Sequence, residues 1–142
     1  MDGTDIARAL RAGARAAQLG TAFLPCPESD VPAAWKEALA GAWRERGIDP
    51  GRTVLTRAFS GRMARGLEND AIRRLARDEA AFPAYPLTNA LTAELRAAAA
   101  RAGDAHRMSP WAGTGAPRLR PMPAARLVAA LERELAEAGF PS

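Results

Sequence analysis

The stretch ARAAQLGTAFL, residues 14–24, lies between Gly13 and Pro25 and carries one charge, at Arg15. So apolar a run belongs in a protein interior, and it is too short to cross a membrane. Bounded by glycine and proline, it predicts a buried strand. Its apolar half closes on Gly20-Thr21, a residue without a side chain followed by a small hydroxyl. A strand ending on that pair leaves backbone N–H groups and one O–H at its C-terminal edge. Those are the donors that a phosphate needs, and glycine lets an anion approach the main chain. Gly-Thr also serves as an ordinary turn, so these residues alone leave both readings open.

Before this stretch, residues 4–12 predict a helix with Ile6, Ala9, Leu10 and Gly13 on one face, opposite Arg8 and Arg11. Asp2 or Thr4 can cap its start and Gly13 its end. A short helix passing directly into a buried strand is half of a βαβ unit, so the chain reads as starting mid-fold. After the stretch, Pro25, Pro27 and Pro32 bracket a loop, and Ser29 or Asp30 can cap a helix that ends near Arg46-Gly47. Its inward residues are Trp35, Ala38, Leu39 and Ala42. Asp49-Pro50-Gly51 is a turn signal, and TVLTRAFS, residues 53–60, predicts a strand. Residues 61–66 read as a basic, glycine-bounded loop and 69–79 as a charged helix with Ile72, Leu75 and Ala76 inward. Residues 82–86 form a stiff linker. Residues 88–102 predict a helix stopped by Gly103, with Leu91, Leu95, Ala98, Ala99 and Ala102 inward. MSPWAGTG, residues 108–115, is too rich in glycine and proline for a regular element. The clearest periodicity is in residues 124–138, where Leu127, Val128, Leu131 and Leu135 line one side.

At 142 residues the chain can form a domain-sized core, and 48% hydrophobic with 25% charged residues argues against disorder. No apolar run approaches the roughly 20 residues of a membrane helix, and no signal peptide opens the chain. The single cysteine, Cys26, leaves no internal disulfide framework and suits a reducing cytoplasm. The formal charge of +4 raises nucleic acid as a partner. However, every basic residue except Lys36 is an arginine in an alanine-rich chain, the pattern of GC-rich coding. These arginines are scattered among Asp and Glu with few aromatics to stack bases, which argues against nucleic-acid binding. No His, Cys and carboxylate set shows metal-ligand spacing.

The other candidates have bland readings. His106, the only histidine, sits in the polar loop GDAHRM and reads as a solvated surface residue rather than a base. Cys26 lies near the presumed anion edge without a histidine partner and reads as an idle thiol. Trp35 and Trp43 read as packing, whereas Trp111 either covers a cofactor or plugs a seam between domains. Arg57, Arg62 and Arg65 read as a solvated basic edge.

Four motifs in order carry a resemblance: DGTDIARALRAGARAAQLGTAFL, TRAFSGRMARGLEN, YPLTNALTAELRAAAARAGD and RMSPWAGTG. Together they resemble the C-terminal part of the nitronate monooxygenases, formerly called 2-nitropropane dioxygenases. The resemblance implies an α/β fold: the last strand and helices of a (β/α)8 barrel plus a small, mostly helical appended domain. Residues 1–46 would be the last βα portion of the barrel, 47–122 the appended domain and 123–142 a C-terminal amphipathic helix. It implies FMN as cofactor, an alkyl nitronate or nitroalkane and dioxygen as substrates, and a carbonyl compound and nitrite as products. The family's phosphate site includes a Gly-Gly-Ile turn after the seventh strand and a Gln-Leu/Met-Gly-Thr at the end of the eighth. Gln18, Leu19, Gly20 and Thr21 match the second, in agreement with phosphate sites beyond strands seven and eight of barrels.

Two departures matter. Met1-Asp2-Gly3 aligns just after the Gly-Gly-Ile turn, so the first seven strands and the family's catalytic histidine are expected outside this sequence, and no catalytic residue is assigned within it. The family's Ser-Leu-Trp-Ala-Gly-Gln reads here Ser109-Pro110-Trp111-Ala112-Gly113-Thr114. The chain is thus expected to be a truncated part of a flavoenzyme, inactive alone, that needs a separate N-terminal barrel chain or self-associates. The alternatives are a non-catalytic remnant or docking subunit, and the related FMN-dependent enoyl-acyl-carrier-protein reductase. An arginine after Gly-Thr would point to that reductase, whereas Ala22 and MSPWAGTG point to the monooxygenase.

Overall fold

Helix α1 (Gly3–Arg11) starts where Asp2 and Asp5 cap each other. Asp2 Oδ1 accepts the Asp5 N–H at 3.0 Å, and Asp5 Oδ2 accepts the Asp2 N–H at 3.3 Å. In the computed structural model, which describes residues 2–140, α1 packs on the last helix, α6 (Ala124–Glu137). Its buried residues are small, Gly3 and Ala7. A Cβ on Gly3 would lie 2.5 Å from Glu134 Cβ and from the Leu135 nitrogen, so only glycine permits this approach. The same contact is polar: the Gly3 N–H donates to Glu134 Oε2 at 2.8 Å, and Arg120 closes on that carboxylate. Arg118 pairs with Asp5 at 2.9 Å. Pro123 precedes α6, and its first N–H, from Ala124, donates to Glu28 at 3.0 Å. Leu127 and Leu131 bury themselves with Ala22 and Cys26, and Ile6, Leu19 and Phe23 pack around them. These segments, Met1–Asp30 with Arg118–Ser142, form one compact unit.

The second unit is Val31–Pro117. Helix α2 (Ala33–Leu39) buries Ala34, Ala38 and Leu39 and stops before Gly41, whose φ is +85°. After a 3-10 turn at Arg44–Arg46, the Asp49 carboxylate accepts the Gly51 N–H at 2.9 Å and turns the chain. Strands β1 (Thr53–Thr56) and β2 (Ala64–Leu67) then pair antiparallel, with Thr53 opposite Leu67 and Thr56 opposite Ala64. Helix α3 (Asp70–Leu75) runs into a 3-10 turn at Ala76–Ala81, and α4 (Leu87–Leu91) and α5 (Ala93–Ala102) follow. Ala58, Phe59, Ala71 and Ile72 make a core that Val54, Leu75, Phe82 and Trp111 flank.

Several expectations need correction. Residues 14–19 are neither a strand nor buried; their backbone is irregular, and all but the half-buried Leu19 are exposed. A strand exists only by pairing, and among the described residues the only two strands pair with each other. Only the second half of the stretch turns inward, through a 3-10 turn at Thr21–Phe23 that buries Ala22. The helix expected to run to Arg46 ends at Leu39, and its N-cap position is Pro32, which offers no side-chain cap. Half of the 61–66 loop is β2, and the 53–60 strand stops at Thr56. The 69–79 helix tightens after Leu75. The 88–102 helix breaks at Thr92, whose hydroxyl donates to the Phe59 carbonyl at 2.6 Å. Leu91 and Val128, both expected inward, are exposed. Met1 and residues 141–142, which close the sequence-based segments 1–46 and 123–142, lie outside the described residues.

Burial pushes the Glu134 carboxyl up, but the Gly3 N–H and the Arg120 guanidinium outweigh it and hold the group below the usual carboxylate range. Asp5 is likewise raised by burial and lowered further by Arg118. A carboxylate depressed by folding contributes stability that is present above its unfolded value, roughly 4, and lost as pH falls through the folded one. Thermal unfolding should therefore show a stability loss as pH drops from neutral through the carboxylate range. Glu134→Gln should cost about 1–3 kcal/mol at neutral pH and flatten that acid limb. A Gln variant as acid-sensitive as the parent contradicts this.

Candidate functional site

Gln18, Leu19, Gly20 and Thr21 form the open edge between α1 and the 3-10 turn. The turn closes through Phe23 N–H to Gly20 O at 3.1 Å and Leu24 N–H to Thr21 O at 3.2 Å. As at any helical start, the earlier N–H groups have no acceptor within the turn. Gly20 is exposed, and a Cβ built on it meets nothing within 4 Å, so the backbone here can be approached directly. Gln18 is exposed, Thr21 is half-buried, and Leu19 anchors the segment on the Ala22–Leu127 core. Two hollows flank the edge. One of about 240 Å³ lies along Ile6, Ala9, Ala17, Gln18 and Leu19. Another of about 320 Å³ is lined by Gly20, Phe23, Leu24, Cys26 and Ala124. Cys26 itself is buried. A small anion reaching this edge would meet the exposed Gly20 main chain, with an apolar hollow beside it.

The 109–114 segment is positioned by Asn69, which is fully buried. Its Oδ1 accepts the Ile72 N–H at 3.0 Å and so caps α3. Its Nδ2 donates to the Ala105 carbonyl at 3.0 Å and the Met108 carbonyl at 2.9 Å. Beyond that anchor, residues 110–112 lie along the free edge of β2. The Leu67 N–H donates to Pro110 O at 2.9 Å and the Ala112 N–H to Arg65 O at 3.1 Å, with Gly66 opposite Trp111. A Cβ on Gly66 would come within 3.0 Å of Pro110 O and 3.2 Å of Trp111 Cε3. The segment expected to be irregular thus behaves as a third, short edge strand. Trp111 packs edge-to-face on Phe59, with ring centroids 5.8 Å apart.

Other candidates find uses inside the fold. Arg57 donates to Gly61 O at 3.2 Å and Arg65 to Thr53 O at 3.1 Å, so both brace the hairpin instead of forming a solvated basic edge; Arg62 is exposed. Trp43 is buried, and the half-buried Trp35 keeps its Nε1 away from solvent without an acceptor. His106 departs from the surface reading. Its ring meets Trp43 edge-on at 5.6 Å, and its Nδ1 lies 3.5 Å from Asp70 Oδ2. The cause is the Asn69 anchor, helped by the Ala71 N–H donating to His106 O at 3.0 Å, which draws the loop onto α3. Asn69 escaped the sequence reading as a hub. Its only local signal is an Asn before a helical pattern, and its other partners are distant in sequence.

A family model described as nitronate monooxygenase matches residues 1–134. The chain is 44% identical over 140 residues to a nitronate monooxygenase of Pseudomonas aeruginosa, covering 95% of this chain and 37% of that protein. It is 43% identical over 136 residues to one from Paraburkholderia phytofirmans, covering 95% and 36%. Among solved structures, a nitroalkane oxidase from Streptomyces ansochromogenes matches with TM-score 0.87 and 50% identity, over 98% of this chain and 38% of that one. FabK from Thermotoga maritima matches with TM-score 0.74 and 27% identity, over 97% and 42%. Each of these relatives is longer than this chain and is covered only in part. The chain belongs to the nitronate monooxygenase family and spans a little over a third of the length of the curated relatives it matches.

Removing the Asn69 side chain would strand one buried N–H and two carbonyls. Asn69→Ala should cost at least about 2 kcal/mol in urea unfolding monitored by tryptophan fluorescence. A loss below about 0.5 kcal/mol would show that the anchor is dispensable.

Proposed function

We propose that this chain supplies the phosphate-binding edge of an FMN-dependent nitronate monooxygenase acting on alkyl nitronates with dioxygen. The observation that carries this reading is the open Gly20-Thr21 edge, within a Gln18-Leu19-Gly20-Thr21 motif, in a chain 44% identical to a Pseudomonas aeruginosa nitronate monooxygenase. The exposed glycine at the start of the 3-10 turn fits a phosphate, because the main chain there can be approached without a side chain in the way. Bound FMN supplies the redox chemistry that converts a nitronate and oxygen to a carbonyl compound and nitrite. This chain's residues bind and orient: Gly20 and Thr21 hold the phosphate, and Leu19 fixes the edge on its core. The proton-abstracting histidine belongs to another part of the enzyme. In this reading residues 1–46 are the last βα portion of the barrel, 47–122 the appended domain and 123–142 its closing helix, and the enzyme works in the cytoplasm.

The irregular, exposed 15–18 backbone favours a further point, that the chain acts only when joined to the rest of a barrel, in a separate chain or through self-association. Alone it should neither bind FMN nor release nitrite. Mixed with the remaining, N-terminal portion of the Pseudomonas aeruginosa relative, it should quench FMN fluorescence saturably. In that assembly Gly20→Val should abolish binding, because a branched side chain occupies the phosphate's approach. Thr21→Ala should weaken it by about 1–3 kcal/mol, the share of one charge-assisted hydrogen bond. Equal flavin content in the parent and Gly20→Val would remove this edge from the cofactor site.

A further inference from the structure

A third hollow, of about 270 Å³, lies within the Val31–Pro117 unit and is distinct from the Gly20 edge. One wall is the α3 face carrying Ala71, Arg74 and Leu75, the other is Leu95 of α5, and the 104–107 loop closes one end. Its volume is just below the usual range of small-molecule pockets, roughly 300–1,000 Å³, so it suits a short ligand. The apolar walls call for an aliphatic body.

The charged groups at the rim decide the head. Asp104 is used twice within its own loop, accepting the His106 N–H at 3.0 Å and pairing with Arg107. Asp70 is bound by Arg73 at 2.6 Å. Both carboxylates therefore have arginines of their own. Arg74 makes no hydrogen bond or ion pair among the described residues; its charge joins the Arg73 hydrogen bond in holding the Asp70 carboxyl below its usual range, and its side chain is exposed at the mouth. His106 lines the same hollow, with its Nδ1 shielded from solvent and turned to Asp70 Oδ2 at 3.5 Å. Arg74 offers the planar fork that matches a two-oxygen anion, and such pairs are directional as well as charged.

We propose that this hollow is a binding site for a small aliphatic anion with a planar two-oxygen head, a carboxylate or a nitronate, with the chain against Leu75 and Leu95 and the head on Arg74 beside His106. His106 is the only histidine in the chain, so its ring signals in nuclear magnetic resonance are unambiguous reporters. Titrating the full chain with sodium hexanoate, and separately with hexane-1-nitronate, should shift those signals saturably. A response to hexanoate alone or to both anions supports the site and tells which heads it takes, whereas hexylammonium should leave the signals unmoved. Arg74→Gln, a change at an exposed position, should weaken binding about tenfold. Leu95→Trp should block it by filling the hollow. If the Trp variant does not fold, the Gln variant and the reversed-charge probe still decide. Absence of a saturable shift with either anion, an equal shift with hexylammonium, or unchanged affinity in Arg74→Gln overturns the proposal.

Discussion

Every backbone N–H and C=O in this chain must find a partner or water, and residues 15–19 find no backbone partner among the described residues. That constraint explains the shape of the stretch around which the chain is organised. Its apolar composition suits a strand, but a strand is a relation between two segments. Without a neighbour, the segment remains irregular and solvated until Gly20, where a 3-10 turn pulls Ala22 and Phe23 onto the core. An unpaired, alanine-rich edge is a template for other strands. The same openness exposes the Gly20 backbone, where the proposed phosphate would approach.

Around that edge, each compact unit rests on one polar side chain with several partners. In the first, Glu134 takes the Gly3 N–H and Arg120, and it does so only because Gly3 lacks a Cβ that would collide with α6. In the second, Asn69 caps α3 and holds two carbonyls of the 105–108 loop. A satisfied polar hub in a small core selects one arrangement, because leaving any of its partners unpaired is expensive. The consequence reaches outward from Asn69: the loop it fixes carries His106 to Asp70 and sets residues 110–112 along β2.

Much of this was legible in the sequence, for reasons tied to range. The helix at 124–137 declared itself because Leu127 and Leu131 recur one turn apart after a proline. The turn at Asp49-Pro50-Gly51 is equally local, since an Asp carboxylate two residues before a glycine N–H makes its own loop. The family was legible because motifs such as Gln18-Leu19-Gly20-Thr21 and MSPWAGTG preserve order along the chain. What failed depended on distant partners. The 14–19 strand lacked its ladder. The 110–112 edge strand hid in a proline-rich run whose pairing partner, β2, is some 45 residues earlier in. The break at Thr92 arises because its hydroxyl is drawn to Phe59, 33 residues away. At the candidate site the residue identities could be read directly, but their exposure could not.

In the proposed assembly, residues 14–19, irregular in the chain alone, pair as a strand that Gly20 ends at a phosphate. Backbone amide hydrogen exchange tests it directly, residue by residue. In the chain alone, the amides of Arg15 to Leu19 should exchange at rates typical of unstructured backbone. In an FMN-bound assembly with the N-terminal portion of the Pseudomonas aeruginosa relative, they should become strongly protected together with Gly20. Protection of these amides in the isolated chain, or their continued rapid exchange in an assembly that holds FMN, would contradict the account.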